Sequence, residues 1–134
     1  MKPQTLTEAV EMAARVGYVF IASADLSGRP HLAAARRLSL GAENQVVVSD
    51  WLCPETVINL QNNRFISLVA WDAAADQGFQ VLGKLREMKD LEMLNGYSPD
   101  LEKKGPIPQV DRELVVQVDQ ILEFKIAPHS DVEE

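Results

Sequence analysis

The chain has 134 residues, 46% hydrophobic and 25% charged, with 13 Lys plus Arg against 20 Asp plus Glu and a formal net charge of -7. That length and balance exclude a disordered chain and predict one domain, residues 1–134, able to bury a core without staples. The acidic surplus disfavours nucleic-acid binding, which needs concentrated Lys and Arg against phosphate.

No apolar run approaches the roughly 20 residues of a membrane span, and Met1-Lys-Pro-Gln-Thr5 does not read as a signal peptide. Cys53 is the single cysteine, so an internal disulfide is impossible and a reducing, cytoplasmic setting is expected. Residues 127–134, ending His129-Ser-Asp-Val-Glu-Glu134, hold little apolar surface and are expected to fray.

In chain order, Thr5 to Val16 reads as an amphipathic helix. Thr5 and Glu8 match capping-box spacing, Leu6, Ala9, Val10 and Ala13 share a face, and Gly17 is a natural stop. Tyr18 to Ala24 is aromatic and β-branched, as a buried strand should be. Asp25-Leu-Ser-Gly28 supplies turn chemistry, and Pro30 opens a strand running from His31 to Leu40. After the turn Gly41–Asn44 come a strand at Gln45–Asp50, a helix start at Pro54–Leu60 and a strand at Phe65–Trp71. Short connections between successive strands favour an antiparallel barrel or sandwich over a parallel sheet.

Asp72 to Asp76 reads as a loop. Gly78 to Arg86 resumes strand character, and Gly83 within it predicts a bulge or a close backbone approach. Lys89 to Leu94 reads as a short helix ended by Asn95-Gly96, and Ser98 to Asp111, with Pro99, Pro106 and Pro108, as a long loop. Leu114 to Ile126 is a strand pair or one long strand, with Leu122, Phe124 and Ile126 on one face.

Together these segments resemble the pyridoxamine 5'-phosphate oxidase-like family of FMN-binding split barrels. Val19-Phe-Ile-Ala-Ser-Ala-Asp-Leu-Ser-Gly-Arg-Pro-His31 is similar to the family's opening hairpin. Pro54 to Val69 looks like its helix and following strand, with Thr56, Asn59, Leu60 and Asn63 in typical places. Phe79-Gln-Val-Leu-Gly83 resembles a later strand. The likeness covers most of residues 6 to 126.

The resemblance implies a mainly β fold with flanking helices, a six-stranded antiparallel Greek-key split barrel. It also implies a homodimer with FMN in a groove between subunits. By family placement the cofactor-binding positions are Arg36, Arg37, Leu38, Ser39, Ser49, Asp50, Thr56 and Asn59. Arg36, Ser49 and Thr56 fall to the phosphate, and the backbone of Leu38 to Leu40 falls to the ring. The implied activity is that of a small flavin oxidoreductase or electron carrier, with its redox partner unassigned. Pyridoxamine-phosphate oxidase activity is not expected, since no basic substrate-binding tail follows Ile126.

One position departs from the pattern. The family's basic residue at the start of the short helix is replaced by Glu55. A carboxylate about 5 Å from a phosphate dianion costs ~1–2 kcal/mol in water-like dielectric, and several-fold more where water is excluded. Two rivals to FMN therefore stand: a split-barrel binding or structural module that has lost it, or a groove filled by a deazaflavin or haem.

Bland readings also remain open. Arg36 and Arg37, adjacent on a strand, face opposite sides and could be a surface charge and an interface ion pair. Ser49 and Thr56 could be caps, Trp51 a stacking, dimer-packing or core residue, and Cys53 a buried or capping thiol. His31 and His129 offer no metal-ligand spacing, although His31 could border a groove. No catalytic residue is assigned.

Overall fold

The computed structural model describes residues 3–51, 53–91 and 111–130. In chain order the elements are α1 (Pro3–Val16), β1 (Val19–Ala24), β2 (Pro30–Ala35), β3 (Arg37–Leu40) and β4 (Gln45–Ser49). They continue with α2 (Pro54–Asn62), β5 (Phe65–Asp72), β6 (Gln77–Leu91) and β7 (Asp111–Glu123).

All strands join one antiparallel sheet in the order β2-β1-β5-β6-β7-β4-β3. Its two edges, β2 and β3, are consecutive in the chain. A sheet whose edges are joined by a single residue has to curl, and the result is the half-barrel of a split barrel. Seven strands are present where six were expected. The difference is Arg36, which interrupts the predicted His31–Leu40 strand. Ala35 still pairs with Val19, whereas Arg37 pairs with Ser49 at the other end of the sheet.

α1 starts two residues before the expected capping box. Pro3 fits the first turn, where its missing N–H costs nothing. Thr5 consequently lies inside the helix and is buried rather than capping. The buried stripe is Leu6, Ala9, Met12 and Ala13, with Val10 only packed against its edge. Burying a side chain such as Leu6 or Met12 is worth roughly 1.5–3 kcal/mol. Gly17, at φ 98, ends the helix with its N–H on the Ala13 carbonyl at 2.8 Å. α1 lies across β3 and β5, and α2 across β1 and β2. Neither is long and apolar enough to cross a membrane.

The β1–β2 turn forms as its residues dictate. Asp25 Oδ1 accepts from Ser27 Oγ, Ser27 N and Arg29 N at 2.7–2.9 Å, and Gly28 adopts φ 88. These bonds, the Ser27 hydroxyl first, hold the Asp25 carboxyl below its ordinary value of 3.8.

β6 and β7 pair far beyond the rest of the sheet. Lys89, Asp90 and Leu91, expected to be helical, pair with Glu113, Arg112 and Asp111. The ladder with β7 overrides the local helix preference, with opposite charges facing each other at Lys89–Glu113 and Asp90–Arg112, where Arg112 Nε reaches Asp90 Oδ1 at 3.1 Å. Residues 92–94, the Asn95-Gly96 stop, the proline-rich stretch 98–110 and residues 131–134 lie outside the described residues; Asp111 itself opens β7. Gly83 marks a register shift, as predicted. A Cβ there would stand 2.2 Å from the Gln117 carbonyl oxygen.

β7 is one strand and stops at Glu123, so the expected alternation through Ile126 fails; Ile126 is 80% exposed. The cause is Asp76. Its carboxylate accepts from Ile126 N at 2.8 Å, Ala127 N at 3.0 Å and Trp71 Nε1 at 3.2 Å, turning the chain off the sheet. These bonds, the Ile126 amide first, hold the Asp76 carboxyl below its ordinary 3.8.

Gly83→Ala should lower stability by at least about 2 kcal/mol in denaturant unfolding, because the clash is with backbone. Asp76 has a depressed folded-state value, so its contribution is full above pH ~4 and is lost as pH falls through the lower folded value. The Tm gap between wild type and Asp76→Asn should therefore be widest near neutrality and shrink below pH ~4. A gap independent of pH would contradict this.

Candidate functional site

The seam where β2 passes into β3 is the most distinctive place in the fold. Arg36 belongs to neither strand. Its N–H donates to the Asp50 carbonyl at 3.1 Å, and Asp50, at φ 59, turns the chain out of β4. The break and the end of β4 are thereby tied together.

A cavity of about 710 Å3 opens at this seam, lined by Gly17, Tyr18, Ala34, Ala35, Arg36, Asp50 and Trp51. That volume lies in the range of small-ligand sites. Two lining residues carry unspent donors. Arg36 is exposed and forms no ion pair among the described residues. Trp51 is 5% exposed, and its buried indole N–H has no acceptor. The acidic neighbour is partly occupied elsewhere, with Asp50 Oδ2 lying 3.4 Å from Arg37 Nε on the exposed side.

α2 begins just beyond Trp51. Cys53 is its N-cap residue but makes no side-chain capping bond, and Pro54 fills the first turn. The N–H groups of Glu55 and Thr56 are therefore left for an outside acceptor by helix geometry. Glu55 is exposed there. Thr56 points the other way, fully buried, with no partner for its hydroxyl. Asn59, 3% exposed, donates to Ser23 Oγ at 3.2 Å and fixes α2 to β1. Cys53 Sγ sits 3.9 Å from His31 Nε2 on β2.

Of the residues singled out from sequence, Arg36 and Asp50 come together at the cavity, and Arg37 joins them through Asp50. Ser49 is half-buried at the end of β4, across from Arg37. Leu38 is in the core, and Ser39 is exposed with its hydroxyl on the Val47 carbonyl at 3.4 Å. Thr56 and Asn59 are interior residues of α2, and neither lines the seam cavity. The cavity-lining role of Gly17, Tyr18 and Ala34 had no signal in the sequence; it follows from the curl. Nor had the Cys53–His31 contact, since the two residues are far apart in the chain. Among the described residues no cluster of His, Cys, Asp and Glu could hold a metal ion.

No protein-family model and no curated protein sequence matches the chain. Solved structures do. A Clostridium acetobutylicum protein related to general stress protein 26, of the pyridoxinephosphate oxidase family, is 16% identical over 99% of this chain and 96% of its own, with a TM-score of 0.65. An FMN-binding protein from Syntrophomonas wolfei is 17% identical over 95% of this chain and 90% of its own, also at 0.65. The haem storage protein HutZ of Vibrio cholerae is 12% identical over 93% and 96%, at 0.56. Curled antiparallel sheet, edge strands joined at one residue and end-to-end superposition agree: the chain has the split-barrel fold of the pyridoxamine 5'-phosphate oxidase-like, FMN-binding proteins.

Proposed function

We propose that the chain is a flavin-binding split-barrel protein that works as a pair of identical subunits and holds FMN by its phosphate at the seam. One observation carries this reading: an exposed guanidinium, Arg36, with no ion pair among the described residues, lines the cavity beside the Trp51 ring. Donors that lack acceptors are what a phosphate dianion requires, and charge-assisted bonds are about twice as strong as neutral ones. Arg36 supplies the charge, and the Ser49 hydroxyl adds a neutral donor.

Thr56 contributes through its first-turn N–H, its hydroxyl being sealed in the interior. Asn59 acts by holding α2 in place through Ser23. Leu38 and Ser39 lie on the edge strand β3, which pairs only with β4. Its other backbone edge is available to hydrogen-bond a planar ring. Asp50 closes the break with its carbonyl and restrains Arg37 with its carboxylate.

FMN supplies the redox chemistry when bound, so the protein's part is to hold, orient and shield it. That suits a small oxidoreductase or electron carrier. Haem is the weaker occupant, because no histidine is among the described lining residues and His31 faces Cys53 beneath α2. A binding module without flavin is favoured by one feature, the exposed Glu55 carboxylate in the first turn of α2. Exposure keeps that repulsion near the ~1–2 kcal/mol of water-like dielectric, which one charge-assisted bond from Arg36 offsets.

FMN fluorescence titration tests the reading. Arg36→Ala should weaken binding by about tenfold or more, and Glu55→Lys should tighten it several-fold. Unchanged affinity in Arg36→Ala removes the phosphate assignment, and a folded, colourless protein that ignores FMN favours the module. Thr56→Val should leave FMN affinity unchanged and hold or raise the Tm, since it deletes a buried hydroxyl without a partner. A loss above about 1 kcal/mol would show that the hydroxyl is satisfied after all.

A further inference from the structure

The bulge between β6 and β7 re-aims side chains as well as shifting the register. Leu82 pairs with Gln120 and Gly83 with Val118, so Asp119 is the extra residue on β7. In an unbroken strand Asp119 and Gln120 would point to opposite faces of the sheet. Here Val118 and Ile121 are buried, while Asp119 is exposed and Gln120 half-buried, so two consecutive polar side chains leave the core. Both line a cleft of about 460 Å3 walled by Ala24, Pro30, Phe65 and Leu82.

This cleft is separate from the seam. The two share no lining residue among those described. Val19 pairs with Ala35 and Ala24 with Pro30, which puts seam and cleft at opposite ends of the β1–β2 pair, roughly 17 Å apart at the rise of a strand. Their electrostatics are opposite too. The seam presents Arg36, whereas no described Lys, Arg or His lines the cleft. Its one charged group is the Asp119 carboxylate, which forms no ion pair among the described residues. Lys84 is engaged beside it, its ammonium 5.3 Å from the centroid of the Phe65 ring. Ser67, which also lines the cleft, already accepts from Gln80 Nε2 at 2.9 Å.

We infer that the cleft binds an organic monocation with an apolar body, a primary amine carried on an aromatic ring system and bearing no phosphate or carboxylate. The volume suits a small molecule, and few polar groups among apolar walls are what such sites present. Phe65, 64% exposed, and Pro30 offer flat ring surfaces on which an aromatic body stacks and is removed from water. The ammonium then meets the Asp119 carboxylate in a charge-assisted hydrogen bond, with the Gln120 amide oxygen as a second acceptor. The same carboxylate repels anions, and no cation on the lining offsets it, so carboxylates and phosphorylated amines are refused here. Seam and cleft thus select ligands of opposite charge, and amine binding in the cleft requires no flavin at the seam.

Titrating the whole 15N-labelled chain with tryptamine, tryptophol and indole-3-acetate tests this, because the three share an indole and end in a cation, a neutral hydroxyl and an anion. Tryptamine should bind at least about tenfold more tightly than tryptophol, and indole-3-acetate more weakly than either. The amide signals that move should be those of Ala24, Leu82, Gly83 and Gln120. Asp119→Asn should bring tryptamine to within about threefold of tryptophol, and Phe65→Ser should weaken both by about tenfold. Both positions are exposed, so circular dichroism should show the fold intact in each variant. Absence of tryptamine binding at millimolar concentration, equal affinity for the three ligands, or shifts confined to the seam overturn the site. A preference for the amine that survives Asp119→Asn overturns the role of the carboxylate. The titration contains no FMN, so its result stands whichever way the flavin reading falls.

Discussion

The hydrogen bond from the Arg36 amide to the Asp50 carbonyl is the constraint on which the rest of the molecule turns. A strand running uninterrupted from Pro30 to Leu40 would stay beside β1 and leave the sheet open. By leaving the ladder for one residue, the chain moves from one edge of the sheet to the other, and β3 finds β4. The curl, the cavity at the seam and the outward position of the Arg36 side chain follow from that single step. Asp50 takes part by adopting a left-handed conformation, a cost which for a non-glycine residue is smallest in Asp and Asn.

The interior beneath α2 is more polar than its position suggests. Thr56, Asn59 and Ser23 are buried there, and His31 meets Cys53 at the helix entrance. An apolar interface would bury more surface, but a side-chain hydrogen bond fixes a helix in one rotation and register. The bond from Asn59 to Ser23 does this for the short α2, and so sets where its free first-turn N–H groups point. Glu55 occupies that same turn without being drawn inward, and Arg36 at the seam forms no ion pair among the described residues.

Much of the fold was legible in the sequence because local chemistry dictates it. The Asp25–Gly28 turn, the Gly17 stop, the Pro54 helix start and the bulge at Gly83 each follow from what those residues can and cannot adopt. Features decided by distant partners were not legible. Arg36-Arg37 reads as continuous strand, since nothing local reveals that Ala35 and Arg37 serve opposite sheet edges. Lys89 to Leu91 carries helix-forming residues, and it is the pairing with β7, far off in the chain, that holds it extended. Asp76 reads as an ordinary turn residue, yet it stops β7 by capturing two amides from the far end of the chain. Arg36 and Asp50, singled out by family placement, come together at one cavity, whereas the burial of the Thr56 hydroxyl and of the Trp51 N–H emerges only from packing.

The most direct measurement is a two-dimensional 15N–1H spectrum of the indole region during titration with FMN. The chain has two tryptophans, and the structure gives them opposite circumstances: Trp51 lines the seam and its enclosed Nε1 has no acceptor, whereas Trp71 Nε1 is bonded to Asp76. The Trp51 cross-peak should move on binding while that of Trp71 stays in place. Movement of Trp71 alone, or FMN binding that leaves both peaks unshifted, would contradict the placement of the flavin phosphate at the β2–β3 seam.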